Sequence, residues 1–428
     1  MKYVLKKIIT LLLALAARAV VHRYHPRVVM VTGSVGKTST KDAVAAVLAT
    51  RFYVRKSEGN LNTEFGVPFT IFGTTVPHPL HNPFAWLKVV KNALALLLLP
   101  NHYPNLLVLE VGADKPGDLA RILKIVAPDM VVVTRLPEVP VHVEAYASPE
   151  AVREEEFSPA YALRTAAPLI VSADDPYALE YAMRTSARLI LYGTGEDAAA
   201  RLDGIDFYTE GEKVAGMRAN ARLREESQEY VVRGTVGTTQ LLPIAAALAV
   251  ASAFEIPLAE ALEALQGYES PPGRCRLLAG KHGSVIIDDS YNSSPAAVEE
   301  ALATLKAFPQ VKRRIAVLGD MLELGRYSVL EHERLAPVVS ASADLIATVG
   351  IRARAFASAP GSAEVVQYES SRAAAAAAAL PGLVREGDVI LVKGSQSIRT
   401  ERIVEALLAD PADAVKLVRQ EQKWKRKP

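Results

Sequence analysis

From residue 28 onward, short apolar runs alternate with longer stretches in which apolar positions recur at helical spacing. The runs "RVVMV", "NLLVLEV", "DMVVVT", "PLIVS" and "RLILYG" are β-rich, whereas "KDAVAAVLAT" and "EAVREEEF" have helical character. Strands separated by helices place the chain in the α/β class, with layers packed around a mainly parallel sheet. Between residues 201 and 236 the pattern changes: "GIDFYTEG", "VAGMRAN" and "EYVVRGTVG", divided by polar turns, read as short antiparallel strands. The helical segment "QLLPIAAALAVASAF" follows, and "GYESPPGRCR" then has the Pro/Gly composition of a hinge, which puts a boundary near Ser270. Beyond it, "SVIIDD", "RIAVLGD", "DLIATVG", "EVVQY" and "DVILVKG" alternate with helices such as "AAVEEALATLKAF", giving a second α/β unit. The alanine run from Ala373 to Ala379 is a helix by propensity and carries no chemistry.

The two ends depart from this alternation. The apolar run from Ile8 to Val21 is broken by Arg18 and is shorter than the ~20 residues a spanning helix needs. It has no persuasive cleavage site, so an interfacial helix or one packed on the protein is expected rather than a signal peptide. A second run, "NPFAWLKVVKNALALLLLP", mixes Trp86 and Leu96 to Leu99 with Lys88 and Lys91, and the terminal "KLVRQEQKWKRKP" is basic. Either these segments hold the chain peripherally on the anionic inner face of the plasma membrane, or the apolar helices pack on each other and the tail is solvated. The expected division is an apolar helix over 1–27, one α/β unit over 28–270, a second over 271–412, and a basic tail over 413–428.

Composition narrows the partners. Half of the 428 residues are hydrophobic, enough for two or three full cores. A net charge of +2 and the lack of a basic stripe interleaved with aromatics argue against nucleic acid. Cys275 is the only cysteine, which excludes intramolecular disulfides and a cysteine-based metal cluster and makes the cytoplasm the simplest compartment. Between Arg274 and Arg276 it reads as a small, partly buried residue.

The strongest local chemistry is "VTGSVGKTST", Val31 to Thr40, after an apolar run. Gly33 and Gly36 permit tight backbone geometry, and successive amides there, with the start of the following helix, can face anionic oxygens. Lys37 suits β/γ-phosphate charge and Thr38 suits magnesium. The spacing differs from the common G-x-x-x-x-G-K-[ST], because Val31 occupies the place of the first glycine.

This shorter loop resembles the ATP loop of the Mur ligases, which join amino acids or peptides to a cell-wall precursor. The resemblance runs from about residue 28 to 410 and includes "EGNLNTEFGVPFT", "LEVGADKPGDL", "DDSYNSSP", "LGDMLELG" and "VKGSQSIRTE". These segments look most like the branch that adds D-alanyl-D-alanine to a muramoyl-tripeptide. The resemblance implies a central P-loop ATPase domain followed by a Rossmann-like domain, with ATP and magnesium as cofactors. It implies a reaction in which a substrate carboxylate attacks the γ-phosphate to form an acyl phosphate and an incoming amine displaces phosphate. By the same resemblance Gly33, Ser34, Gly36, Lys37, Thr38 and Ser39 bind ATP, while Thr38, Glu110 and His142 hold metal. Arg274 is matched to the ATP phosphates, Asp289, Tyr291 and Asn292 to the nucleotide, and Asp320 and Arg399 to the acceptor dipeptide.

Three departures qualify the match. The family's carbamylated lysine is replaced at the ungapped position by Glu156, flanked by Glu154 and Glu155. Either Glu156 supplies the metal-binding carboxylate directly, or that site is lost and "REEE" is a solvated helix face. In "GTVGTTQLLPIAAA", Gln240 keeps an amide able to meet adenine, but Pro243 replaces the later asparagine. The family's UDP-sugar-binding domain has no counterpart before the loop, leaving Asn60, Asn62 and Thr63 as donor-gripping candidates, or a second subunit, or a donor that is lipid-linked. The alternative from another class is a catalytically silent ATP-binding partner in a cell-wall complex.

Overall fold

The computed structural model describes residues 2–59, 61–77, 82–378 and 384–425. The chain opens with α1 (Lys2–Tyr24), β1 (Arg27–Thr32), α2 (Lys37–Leu48), β2 (Val54–Lys56), α3 (Val67–Phe72) and α4 (Pro83–Leu98). There follow β3 (Leu106–Glu110), α5 (Asp118–Leu123), β4 (Met130–Val133), α6 (Pro149–Tyr161), β5 (Pro168–Ser172), α7 (Pro176–Ala182) and β6 (Arg188–Gly193). Three long strands, β7 (Ala200–Glu210), β8 (Lys213–Leu223) and β9 (Glu226–Arg233), lead to α8 (Leu242–Ala253) and α9 (Leu258–Leu265). The remainder contains β10 (Arg276–Ala279), β11 (Val285–Asp289), α10 (Pro295–Ala307), β12 (Arg313–Gly319), α11 (Ser328–Ser340) and β13 (Leu345–Val349). It ends with β14 (Glu364–Tyr368), α12 (Ser371–Ala378), β15 (Asp388–Lys393), α13 (Glu401–Leu407) and α14 (Gln422–Lys425).

Nine strands form one sheet in the order β2-β3-β1-β4-β5-β6-β7-β8-β9, parallel through β7 and antiparallel across β7-β8-β9. Six form a second, β10-β11-β15-β12-β13-β14, parallel except at β10. The central strands are apolar on both faces because helices cover both. In β1, Val29 and Val31 enter one core while Val28 and Met30 enter the other, as strand alternation requires. The first core is closed by α2 and by α8, which is apolar all round and buried from Pro243 to Ala251.

Two local readings change. The strands between 201 and 236 are eleven, eleven and eight residues long, and β7 pairs parallel with β6. They therefore extend the main sheet. The basic tail is not free either: Arg419 is buried against Glu401 and the carbonyls of Ser290 and Tyr291, and Arg399 lies over the Trp424 ring. Burying a guanidinium demands such partners, so residues 411–425 dock on the second sheet's layer. Ala379 lies outside the described residues.

α1 and α4 do pack on each other. Arg23 donates to Leu97 O at 2.9 Å and Tyr24 to Leu96 O at 2.8 Å, while Leu13, Ala17 and Val20 of α1 share a core with Val89, Ala93 and Leu96 of α4. Among the described residues no helix is long and apolar enough to cross a membrane.

Candidate active site

The loop after β1 is held by its neighbour strand. Ser34 N donates to Arg135 O at 2.8 Å, and Gly33 has φ +117 with a Cβ direction that runs into Thr134 Oγ1. Only glycine satisfies both conditions. Gly36, at φ +86, precedes the first turn of α2 in the left-handed region, leaving the helix's initial amides facing outward. Lys37 folds its Nζ onto Gly33 O and, at 3.3 Å, Ser34 O. Loop and lysine thus form a cationic rim at the carboxyl end of the sheet, where open α/β folds bind ligands.

Register places Glu110 on this rim, since it pairs with Val31 across β1 and β3. It is 2% exposed. Its amide donates to Ser57 Oγ at 3.1 Å, and Oε1 accepts from Asn62 Nδ2 at 3.4 Å, but Oε2 is buried with no protein partner. Buried carboxylate oxygens demand a partner, so this orphan fits a hard cation. Behind it, Lys41 Nζ, also buried, donates to Ser57 O at 2.7 Å. Lys41 and Ser57 thereby position Glu110. Neither stood among the sequence candidates, although Lys41 sits one turn after Lys37 and is the one charged residue among those α2 buries.

The three glutamates of α6 diverge because successive helical residues point about 100° apart. Glu154 meets Arg184 at 3.5 Å, and Glu155 caps the start of α5 through Gly117 N and Leu119 N. Glu156 is buried, accepts the Ser34 hydroxyl at 2.5 Å, and receives Thr32 Oγ1 on its backbone oxygen. "REEE" is therefore not a solvated face. Burial pushes the Glu156 carboxyl up, against the opposing pull of Lys37, Ser34 and His142.

His142 adopts φ 65 and lies 3.2 Å from Glu323 Oε2 and 3.6 Å from Asp114 Oδ1. Glu323 belongs to the layer of the second sheet, so this contact joins the two sheets' surroundings. Among the described residues no three or more His, Cys, Asp or Glu side chains come close enough to hold one ion. Glu110, His142 and Glu156 are accordingly not gathered into a single centre, and the orphaned oxygen of Glu110 is the position whose chemistry best fits magnesium.

A cavity of about 690 Å³ opens beside the loop. Gly36 and Thr40 line one wall, Phe207 and Met217 a second, and Thr238 and Pro243 a third; Glu300 and Thr304 of α10 close it. An ion pair between Arg135 and Glu300 bridges across from the loop side. Gln240, expected at adenine, instead accepts the Ser270 hydroxyl on Oε1 at 2.8 Å and is drawn to the hinge. That hydrogen bond satisfies a buried amide where the chain turns toward β10.

Several expected ligand contacts are engaged internally. Arg274 lies 4.2 Å over the Tyr291 ring. Asp289 forms a buried pair with Lys393 at 2.6 Å and takes the Cys275 amide at 3.3 Å, while Asn292 accepts from Lys393 and Gln396. Cys275 is buried, and desolvation pushes its thiol up, as befits a small packing residue. Asp320 accepts from Ala353 N at 2.7 Å, and Arg399 pairs with Glu401 and donates to Trp424 O. These two are thus placed in the framework of the second sheet, not freed toward an acceptor. Asn62 is beside Glu110, Thr63 Oγ1 accepts from Gly66 N, and Asn60 lies outside the described residues.

The loop, the rim carboxylate and the two sheets define a class. The family profile for the Mur ligase middle domain matches residues 31–251, and that for the Mur ligase, glutamate ligase domain matches residues 273–396. The chain belongs to the Mur ligase family. It is 27% identical over 410 residues to the UDP-N-acetylmuramoyl-tripeptide--D-alanyl-D-alanine ligase of Bacillus subtilis (strain 168), covering 92% of this chain and 79% of that one. The crystal structure of MurF ligase from Thermotoga maritima in complex with ADP superposes with a TM-score of 0.74 at 27% identity, covering 93% of this chain and 83% of that one. A structure of MurF from Acinetobacter baumannii shares the fold at a TM-score of 0.73 and 22% identity, over 95% and 80% of the respective chains.

Proposed function

We propose that this chain is an ATP-dependent ligase that joins D-alanyl-D-alanine to a UDP-linked muramoyl-tripeptide in the cytoplasm. The observation carrying it is the glycine loop set against Glu110, whose Oε2 is buried without a protein partner. Relatives named for that reaction and an ADP complex of a similar structure support it.

In this reading the tripeptide carboxylate attacks the γ-phosphorus, forming an O–P bond as the bond to the ADP oxygen breaks. The dipeptide's uncharged amine then attacks the acyl carbon, and inorganic phosphate leaves. The loop amides and Lys37 hold phosphate oxygens and spread the developing negative charge. Thr38 and Glu110 would hold magnesium, which supplies charge neutralisation on the phosphates when bound. Ser34, fixed by Glu156, keeps the loop in place, and Asn62 and Thr63 would contact the donor. Arg135 and Glu300 join the two halves beside the cavity.

Phosphate release with UDP-muramoyl-tripeptide and D-Ala-D-Ala tests the reading: release that disappears in Lys37→Ala supports it. Glu156 standing where the family has lysine favours a second reading, a silent ATP-binding partner. ADP binding without phosphate release from any related donor would select that one.

A further inference from the structure

The faces that α1 and α4 turn outward are not polar. Leu11, Leu12 and Leu15 of α1 and Phe84, Leu87 and Leu98 of α4 are all exposed, Phe84 at 81%. The opposite faces of the same helices are buried in one core, and their C-terminal ends are tied through Arg23 and Tyr24, so the arrangement is built rather than loosely attached. Apolar side chains gathered on two adjoining helices mark a contact surface.

Charge identifies the occupant. The two helices together carry seven Lys or Arg and no Asp or Glu. With a formal +2 for the whole chain, the rest of the sequence is left at −5. Lys6, Lys88 and Lys91 are exposed beside the apolar residues, and Lys91 falls within the α4 stripe between Leu87 and Leu94. A lysine there can lay its methylenes along the apolar surface and lift its ammonium to a phosphate level. Neither helix is long and apolar enough to span a bilayer, which leaves binding in the interfacial plane.

We infer that the exposed faces of α1 and α4 form a docking surface for an anionic phospholipid bilayer, holding the ligase at the membrane surface. The inference uses no residue of the phosphate loop or the cavity, so it stands or falls independently of the catalytic reading. A second copy of the chain would also cover apolar residues, but it would bring the same excess of positive charge to a self-contact. A bilayer with acidic headgroups neutralises that charge.

The test is co-sedimentation of the full chain with phosphatidylglycerol/phosphatidylcholine vesicles and with phosphatidylcholine alone, at low and high salt. Expected is binding to the acidic vesicles that weakens with salt, and an affinity reduced about twenty-five-fold in Lys88→Gln/Lys91→Gln, since each basic residue near such a surface contributes roughly fivefold. Leu12→Glu and Phe84→Glu should abolish binding while retaining the wild-type unfolding midpoint, because both side chains are already in solvent. Absence of binding to acidic vesicles at low salt overturns the inference. So does equal binding of the variants, or a concentration-dependent dimer that Leu12→Glu dissolves without any vesicle binding.

Discussion

The Ser34 hydroxyl donates to the Glu156 carboxylate at 2.5 Å, tying the phosphate loop to the middle of a helix more than a hundred residues later. The contact gives the glutamate a defined task, holding the loop beside Lys37.

Burial raises the Glu156 pKa, so the folded chain holds this proton more tightly than the unfolded one. Stability from the group is therefore greatest below the ordinary carboxylate range and declines as pH rises through that range toward the raised value. Glu156→Gln keeps an acceptor for Ser34 and removes the titration. The variant should match the wild type in urea unfolding at acidic pH and exceed it at neutral pH; a difference that does not vary with pH would refute this.

Glu110→Gln should lower phosphate release on the order of a hundredfold, the scale of losing an electrostatic contact at a transferring group. In metal-free buffer its unfolding midpoint should not fall, because a buried, half-partnered carboxylate is removed. Magnesium titrations of ADP affinity provide the second readout. Unchanged turnover would remove Glu110 from the site.

Gly33→Ala forces a side chain onto Thr134 Oγ1 at a left-handed φ. A stability loss of about 2 kcal/mol is expected, together with loss of ADP binding. Calorimetry measures both, and an alanine variant that binds ADP normally would contradict the loop geometry.

Arg419→Met should destabilise the chain by about 3 kcal/mol, since it strips one partner from buried Glu401 and frees the carbonyls of Ser290 and Tyr291. If the tail were merely solvated, denaturant midpoints of variant and wild type would coincide.

Much of this was readable along the chain. The five leading runs are strands, the alanine-rich "QLLPIAAALAVASAF" contains a buried helix, and "VTGSVGKTST" forms a turn between strand and helix. The three-residue β2 and four-residue β10 escaped notice because each is short and lacks the unbroken buried apolar run that marks the equally short β4. Asp320 and Arg399 were expected at the acceptor from motif position, yet charge and motif position do not reveal that Ala353 and Glu401 would engage them.

Sequence alone determined the alternation that makes two α/β layers, the loop's glycines, and the family, because backbone preferences and burial periods are local properties. Tertiary structure alone decided that Lys41 reaches Ser57 behind Glu110, that Glu156 serves Ser34, and that the basic tail is anchored while α1 and α4 keep apolar faces outward. Those outcomes depend on which groups meet across long chain separations. A buried charge or amide takes whatever partner the packing brings to it, and no local pattern records that choice.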